Sequence, residues 1–320
     1  MFEFGNLVLV NTLNYLTMKI FQICLKRKVL ASTAFLFLIL NLSAQSFPGL
    51  NKLENVQTST YYSEGSEEYA KEMAKHCDQV KSFYDELIQF QPEVSLLVLS
   101  KEDWSKFTQF PVYGMPHYSD NKTLIVASED NDFWKSFIPP LDQLSPDFAA
   151  KISKTYTDSE GNLTMRGFFN LLAIHELGHA YHIQGGLTMQ RKWMGELFAN
   201  IMLHTYIAEN EPDLLPVLTV FPEMVVASTS PESLEYTSLG ELESNYEKIG
   251  QEFPLNYGWY QCRWHKAAGE IYDAEKIQVF LNLWKELKQE KNVLSDADLA
   301  KMLTEKVGQS VADVLLKWDE

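Results

Sequence analysis

Two histidines and a glutamate in five residues, His175-Glu-Leu-Gly-His179, are the part of this chain best suited to chemistry. On a helix, residues four apart lie about 40° apart around the axis and about 6 Å along it. Both imidazoles then point the same way and can grip one ion at about 2.1 Å. Glu176, close to the same face, can reach a water on that ion without binding the ion itself. The pattern predicts one zinc ion held by His175 and His179, with Glu176 as general base.

A catalytic zinc needs a third protein ligand and an open position. His182 shares the helical stripe, but it stands about 10 Å along the axis from His175, too far for both to hold one ion. It is expected to be a polar residue near the helix end. Glu196, in Trp193-Met-Gly-Glu-Leu-Phe-Ala-Asn200, is the better candidate. It lies on a second helix that a Gly185-Gly186 turn folds back on the first, amid Trp193, Leu197 and Phe198. Asn200, one turn later, faces the same side and could hold a ligating histidine through its outer nitrogen. His204 is the fallback ligand.

The elements that position these residues follow from apolar spacing. Residues 164–183 and 189–208 read as two helices, and 64–90, 257–287 and 297–317 also read as helical. Residues 94–99 and 123–127 suit strands. Residues 139–161, with three prolines, read as a surface loop, and 212–254 as short helices mixed with loops. The expectation is an α+β fold, a small strand-containing layer with a mainly helical lobe, its cleft near residues 164–200.

HELGH followed by WMGELFAN resembles the gluzincin zinc metallopeptidases, thermolysin-like endopeptidases and zinc aminopeptidases among them, within the wider peptidase MA-like superfamily. The resemblance is specific over residues 164–208. It implies a zincin-like catalytic unit, zinc on His175, His179 and Glu196, and Glu176 as catalyst. Asn200 stands where thermolysin-like relatives often carry an aspartate behind a zinc histidine. In the family a downstream Tyr or His steadies the carbonyl oxygen. The dense segment Asn256-Tyr-Gly-Trp-Tyr-Gln-Cys-Arg-Trp-His265 offers Tyr257 first and His265 second, with Tyr236 and Tyr246 still open. The metzincin pattern does not fit, because it requires Gly at 182 and His at 185, where this chain has His182 and Gly185. The GxMEN segment of aminopeptidases is also missing, since Gly114-Met-Pro-His117 lacks the glutamate. Residues 113–127 resemble the edge strand that lies over zincin clefts and pairs with an extended peptide.

Bulk properties narrow the setting. Lys19, Lys26, Arg27 and Lys28 precede an apolar run from Val29 to Leu42, and Leu42-Ser43-Ala44 offers small residues for cleavage. This predicts a signal peptide over 1–44, with Met18 an alternative start, and a secreted or periplasmic catalytic domain over 45–320. An uncleaved anchor is the alternative; the run is short for a membrane span, and no stable insertion is expected after cleavage. The net charge of −16 repels phosphate backbones and anionic lipid, so the expected partner is a peptide or protein rather than nucleic acid. Cys77 and Cys262 survive cleavage, and spacing leaves their pairing open. Three functions stay in play: a zinc peptidase, a zinc hydrolase of a non-peptide or cell-wall amide, and a non-catalytic protein on a zincin scaffold. Intact Glu176 favours the first two.

Overall fold

Ser95 to Leu99 (β3) and Thr123 to Ala127 (β5) are runs of five residues with every position buried, the pattern of strands covered on both faces. The computed structural model describes residues 46–320, and the stretch from Gly49 to the C-terminus forms one unit. β3 and β5 pair in parallel, with Leu97 opposite Ile125, and β2 (Ser59–Tyr62) pairs in parallel on the other side of β3. Two-residue strands run antiparallel at the edges: β1 (Asn51–Lys52) beside β2, and β4 (His117–Tyr118) beside β5. The order is β1-β2-β3-β5-β4.

Helix α1 (Glu67–Ile88) joins β2 to β3 and packs on both. Its buried stripe is Tyr69, Met73, Cys77, Val80 and Tyr84, at the spacing of one helix face. Short helices α2 (Lys101–Phe107) and α3 (Asp132–Ser136) are capped by Ser100 and Asn131. Then follow α4 (Pro146–Tyr156), α5 (Arg166–Gln184), α6 (Lys192–Asn210), α7 (Leu215–Ser228), α8 (Leu239–Glu252), α9 (Pro254–Glu275), α10 (Ile277–Gln289), α11 (Asp296–Met302) and α12 (Gln309–Leu316). Helix α5 packs on β4 and β5. Helix α6 is buried at every position from Trp193 to Ile207, as a helix apolar on all sides should be. It lies between α5 and α9, at the centre of the helical lobe.

The fold is thus α+β: a small mixed sheet and a mainly helical remainder. Several boundaries depart from the sequence reading. Residues 139–161 are not a loop throughout, because α4 occupies 146–156. Pro146 sits at its first position, where a missing N–H costs nothing, and Ser145 Oγ accepts from Phe148 N. The buried Tyr156 then anchors α4 to α7, donating to Val217 O and accepting from Phe221 N. The 212–254 stretch holds two full 14-residue helices, one of them running through Pro222. Residues 257–287 are broken at Lys276, which takes a positive φ, and 297–317 are interrupted by a π-helical turn before Gly308. Cys77 on α1 and Cys262 on α9 are both buried and unpaired. Among the described residues no helix is long and apolar enough to cross a membrane. The expected leader, with Met18 and Ala44, lies outside them.

Candidate metal centre

Helix α5 ends where the glycine pair predicted: Gly186 adopts a φ of +69°, and Leu187 N returns to His182 O. The chain reverses into α6, and the two helices lie side by side. His175, Glu176 and His179 come together on α5 with their donor atoms within 4.8 Å of one another, a group that could hold a metal ion. Glu196 enters from α6. His175 Nε2 and His179 Nε2 are 3.2 Å apart, and Glu196 Oε2 lies 3.3 Å from the first and 3.6 Å from the second.

Each member of this triangle is gripped from behind. Asn200 Oδ1 is 3.1 Å from His175 Nδ1. The Asn200 amide is oriented by its own Nδ2, which donates to Glu196 O at 3.0 Å. An amide oxygen can only accept, so His175 Nδ1 donates to Asn200 and Nε2 faces the triangle. His179 Nδ1 lies 3.0 Å from His182 Nε2. His182 is in the last turn of α5, as expected, and there it also contacts a candidate ligand. It is turned back onto His179 because residues three apart on a helix are neighbours. The Glu196 carboxylate is held at both oxygens: Tyr246 Oη donates to Oε1, and Gln261 Nε2 donates to Oε2 at 2.9 Å.

Burial raises the Glu196 carboxyl, but His179 and His175 outweigh it and hold the acid well below the usual carboxylate range. Burial depresses His179, while Glu196 and Glu176 more than offset that and push it up to about 9. Glu176 is raised by burial, against the pull of His179 and His175. Burial, then the neighbouring His179, brings His182 down to about 3.

The later segment contributes from α8 and α9. Tyr257 Oη accepts from Gln261 Nε2 at 2.9 Å, so it joins the site through the residue that holds Glu196. The Tyr246 and Tyr257 rings meet edge to face, 6.3 Å between centroids. His265 is buried with its ring centroid 6.0 Å from that of His175 and 5.8 Å from Phe168. Burial, then His175 and His204, bring it down to about 3, so it is a neutral imidazole at neutral pH. Tyr236 is elsewhere: it accepts from Lys248 Nζ at 3.1 Å and packs on Phe253. His204, the fallback ligand, lies two turns beyond Glu196, against Gly269 and Tyr272, and takes no part in the triangle.

Sequence alone did not single out Gln261 at all, and it named Tyr246 only as an open candidate for the carbonyl donor, not as a partner of Glu196. Gln261 is four positions past Tyr257 on one helix face, a spacing that was available. Tyr246 had no local signal. Helix α8 leaves helical geometry at Asn245 (φ −124°, ψ 21°), one residue before the tyrosine that reaches Glu196. Of residues 113–127, only His117 and Tyr118 form a sheet edge (β4, beside α5), while 123–127 lie inside the sheet as β5; Glu176 is among the charges acting on Tyr118. No family model matches the chain, and no curated protein or solved structure matches it.

Proposed function

We propose that this protein is a zinc-dependent peptidase of the gluzincin type, with His175, His179 and Glu196 holding one zinc ion and Glu176 as general base. The observation that carries it is the triangle of donor atoms. A tetrahedral ion with bonds of about 2.0–2.1 Å spaces its ligand atoms about 3.3–3.4 Å apart. The edges here are 3.2, 3.3 and 3.6 Å. Two imidazoles and one carboxylate are the donor set of many hydrolytic zinc sites, and they leave a fourth position open. An antiparallel edge strand beside the motif helix supports a zincin-like unit able to take an extended peptide.

A bound zinc supplies a Lewis acid that polarises a carbonyl and acidifies a water. Glu176 would accept a proton from a water in the site and return it to the leaving nitrogen. Its pKa, raised by burial, suits a group that must both accept and return a proton. Tyr246 is engaged with Glu196, which leaves Tyr257 as the first hydroxyl to donate to the carbonyl oxygen and His265 as the second donor. Asn200 keeps the His175 ring oriented. The basic and then apolar segment ending at Ala44 supports export, and the net charge of −16 supports a substrate other than nucleic acid.

Metal analysis of the purified protein and cleavage of casein or a peptide library test this. One zinc per chain is expected, with peptide cleavage lost on chelation. Glu176→Gln should lower the rate by about 10²–10⁴ while retaining zinc. Zinc binding with turnover confined to non-peptide amides would replace the peptidase by the alternative hydrolase. Zinc with no turnover of any amide would leave a binding scaffold.

A further inference from the structure

His182 stands behind His179. Its Nε2 is 3.0 Å from His179 Nδ1, the ring nitrogen opposite the one that faces His175 and Glu196. Its ring is set edge-on to Phe198, 5.9 Å between centroids, and a β-carbon at Gly195 would touch Nε2 at 3.5 Å. Both contacts come from α6, on either side of Glu196, so the imidazole is clamped between the two helices. In a pair of imidazole nitrogens one must donate and the other accept. A proton on His179 Nε2 would block the ion, so the ion decides the direction.

We propose that His182 is the positioning residue for a metal-bound His179: an uncharged imidazole, protonated at Nδ1, that accepts from His179 Nδ1–H and frees the Nε2 lone pair for the ion. This rests on the zinc reading above. Charge explains why an imidazole serves here in place of the more usual carboxylate. A divalent ion beside the Glu196 and Glu176 carboxylates is already neutralised. With Asn200 behind His175 and His182 behind His179, both outer partners are uncharged. A carboxylate at 182 would place a surplus negative charge in a buried site, at a substantial desolvation cost.

The test is competition for zinc between the metal-free protein and a chromophoric chelator. His182→Leu is expected to bind zinc about 10–100-fold more weakly. His182→Gln restores an uncharged acceptor and should recover most of that loss, with a cobalt(II) absorption spectrum matching wild type where the leucine variant's is shifted. Equal zinc affinity in the leucine variant and wild type overturns the proposal. Should His182→Leu fail to fold, ¹⁵N-histidine spectra of zinc-loaded wild type decide instead. Protons on Nδ1 of both His179 and His182 are expected, and a proton on His182 Nε2 overturns it. Wild type that takes up no zinc sinks the zinc reading itself, whereas zinc-loaded wild type with an indifferent leucine variant sinks only the role of His182.

Discussion

A β-carbon added to Gly178 would stand 2.8 Å from Ala199 Cα and 3.0 Å from its Cβ. The middle of the HELGH motif is thus pressed against the α6 backbone, three residues past Glu196. This contact sets how close the carboxylate comes to the two imidazoles, because neither backbone has a flexible side chain to move aside.

Gly178→Ala separates this packing from helix propensity. Propensity alone favours alanine by about 1 kcal/mol in a helix interior. Overpacking against a backbone costs about 1–3 kcal/mol and here pushes α6 outward. The expected sum is a lower melting temperature for the metal-free protein together with weaker zinc binding. A variant more stable than wild type would show that the helices part freely.

Glu196→Gln keeps the shape of the proposed third ligand and removes its charge. Zinc affinity should fall by more than the roughly 10–100-fold typical of losing an outer partner. Metal content after dialysis measures it, and full occupancy in this variant would mean that another residue supplies the third bond.

The two tyrosines should divide in their effects. Tyr246→Phe removes the donor to Glu196 Oε1, and an unsatisfied buried acceptor costs about 1–3 kcal/mol, visible as lost stability and weaker zinc binding. Tyr257→Phe should leave the metal in place and lower kcat by about 10²–10³, the usual loss of one oxyanion donor. Thermal melts, zinc competition and steady-state kinetics on both variants check the division; a reversed pattern would exchange their roles.

Zinc affinity should rise with pH. In the metal-free protein His179 keeps a proton up to about 9, and the ion must displace it. Below that point each unit of pH lost lowers the affinity about tenfold, and above it the dependence flattens. The raised value also stabilises the metal-free fold. That contribution is complete below the unfolded histidine value near 6.5 and is lost as pH rises through about 9. Competition titrations between pH 6 and 10 measure the slope, and a flat profile would mean that His179 is already unprotonated.

His175, Glu176 and His179 could be read from the chain because one helical turn brings them together, and helicity there follows from apolar spacing within twenty residues. The buried runs of β3 and β5 were equally plain. Residues 139–161 misled because proline marks both the interior of a loop and the first turn of a helix, and only the burial of Ile152 and Tyr156 decides between them.

Amino-acid order alone determined the α+β class, the motif helix, its glycine turn and the candidacy of Glu196, since each depends on neighbours within about a helix or a hairpin. Only the tertiary structure decided that Tyr246 and Gln261 hold Glu196, that His182 backs His179, and that His204 and Tyr236 stand apart. The tyrosine and the glutamine lie fifty or more positions downstream of Glu196. What brings them there is the packing of α8 and α9 around α6 and the break at Asn245, contacts between distant segments that no local period encodes.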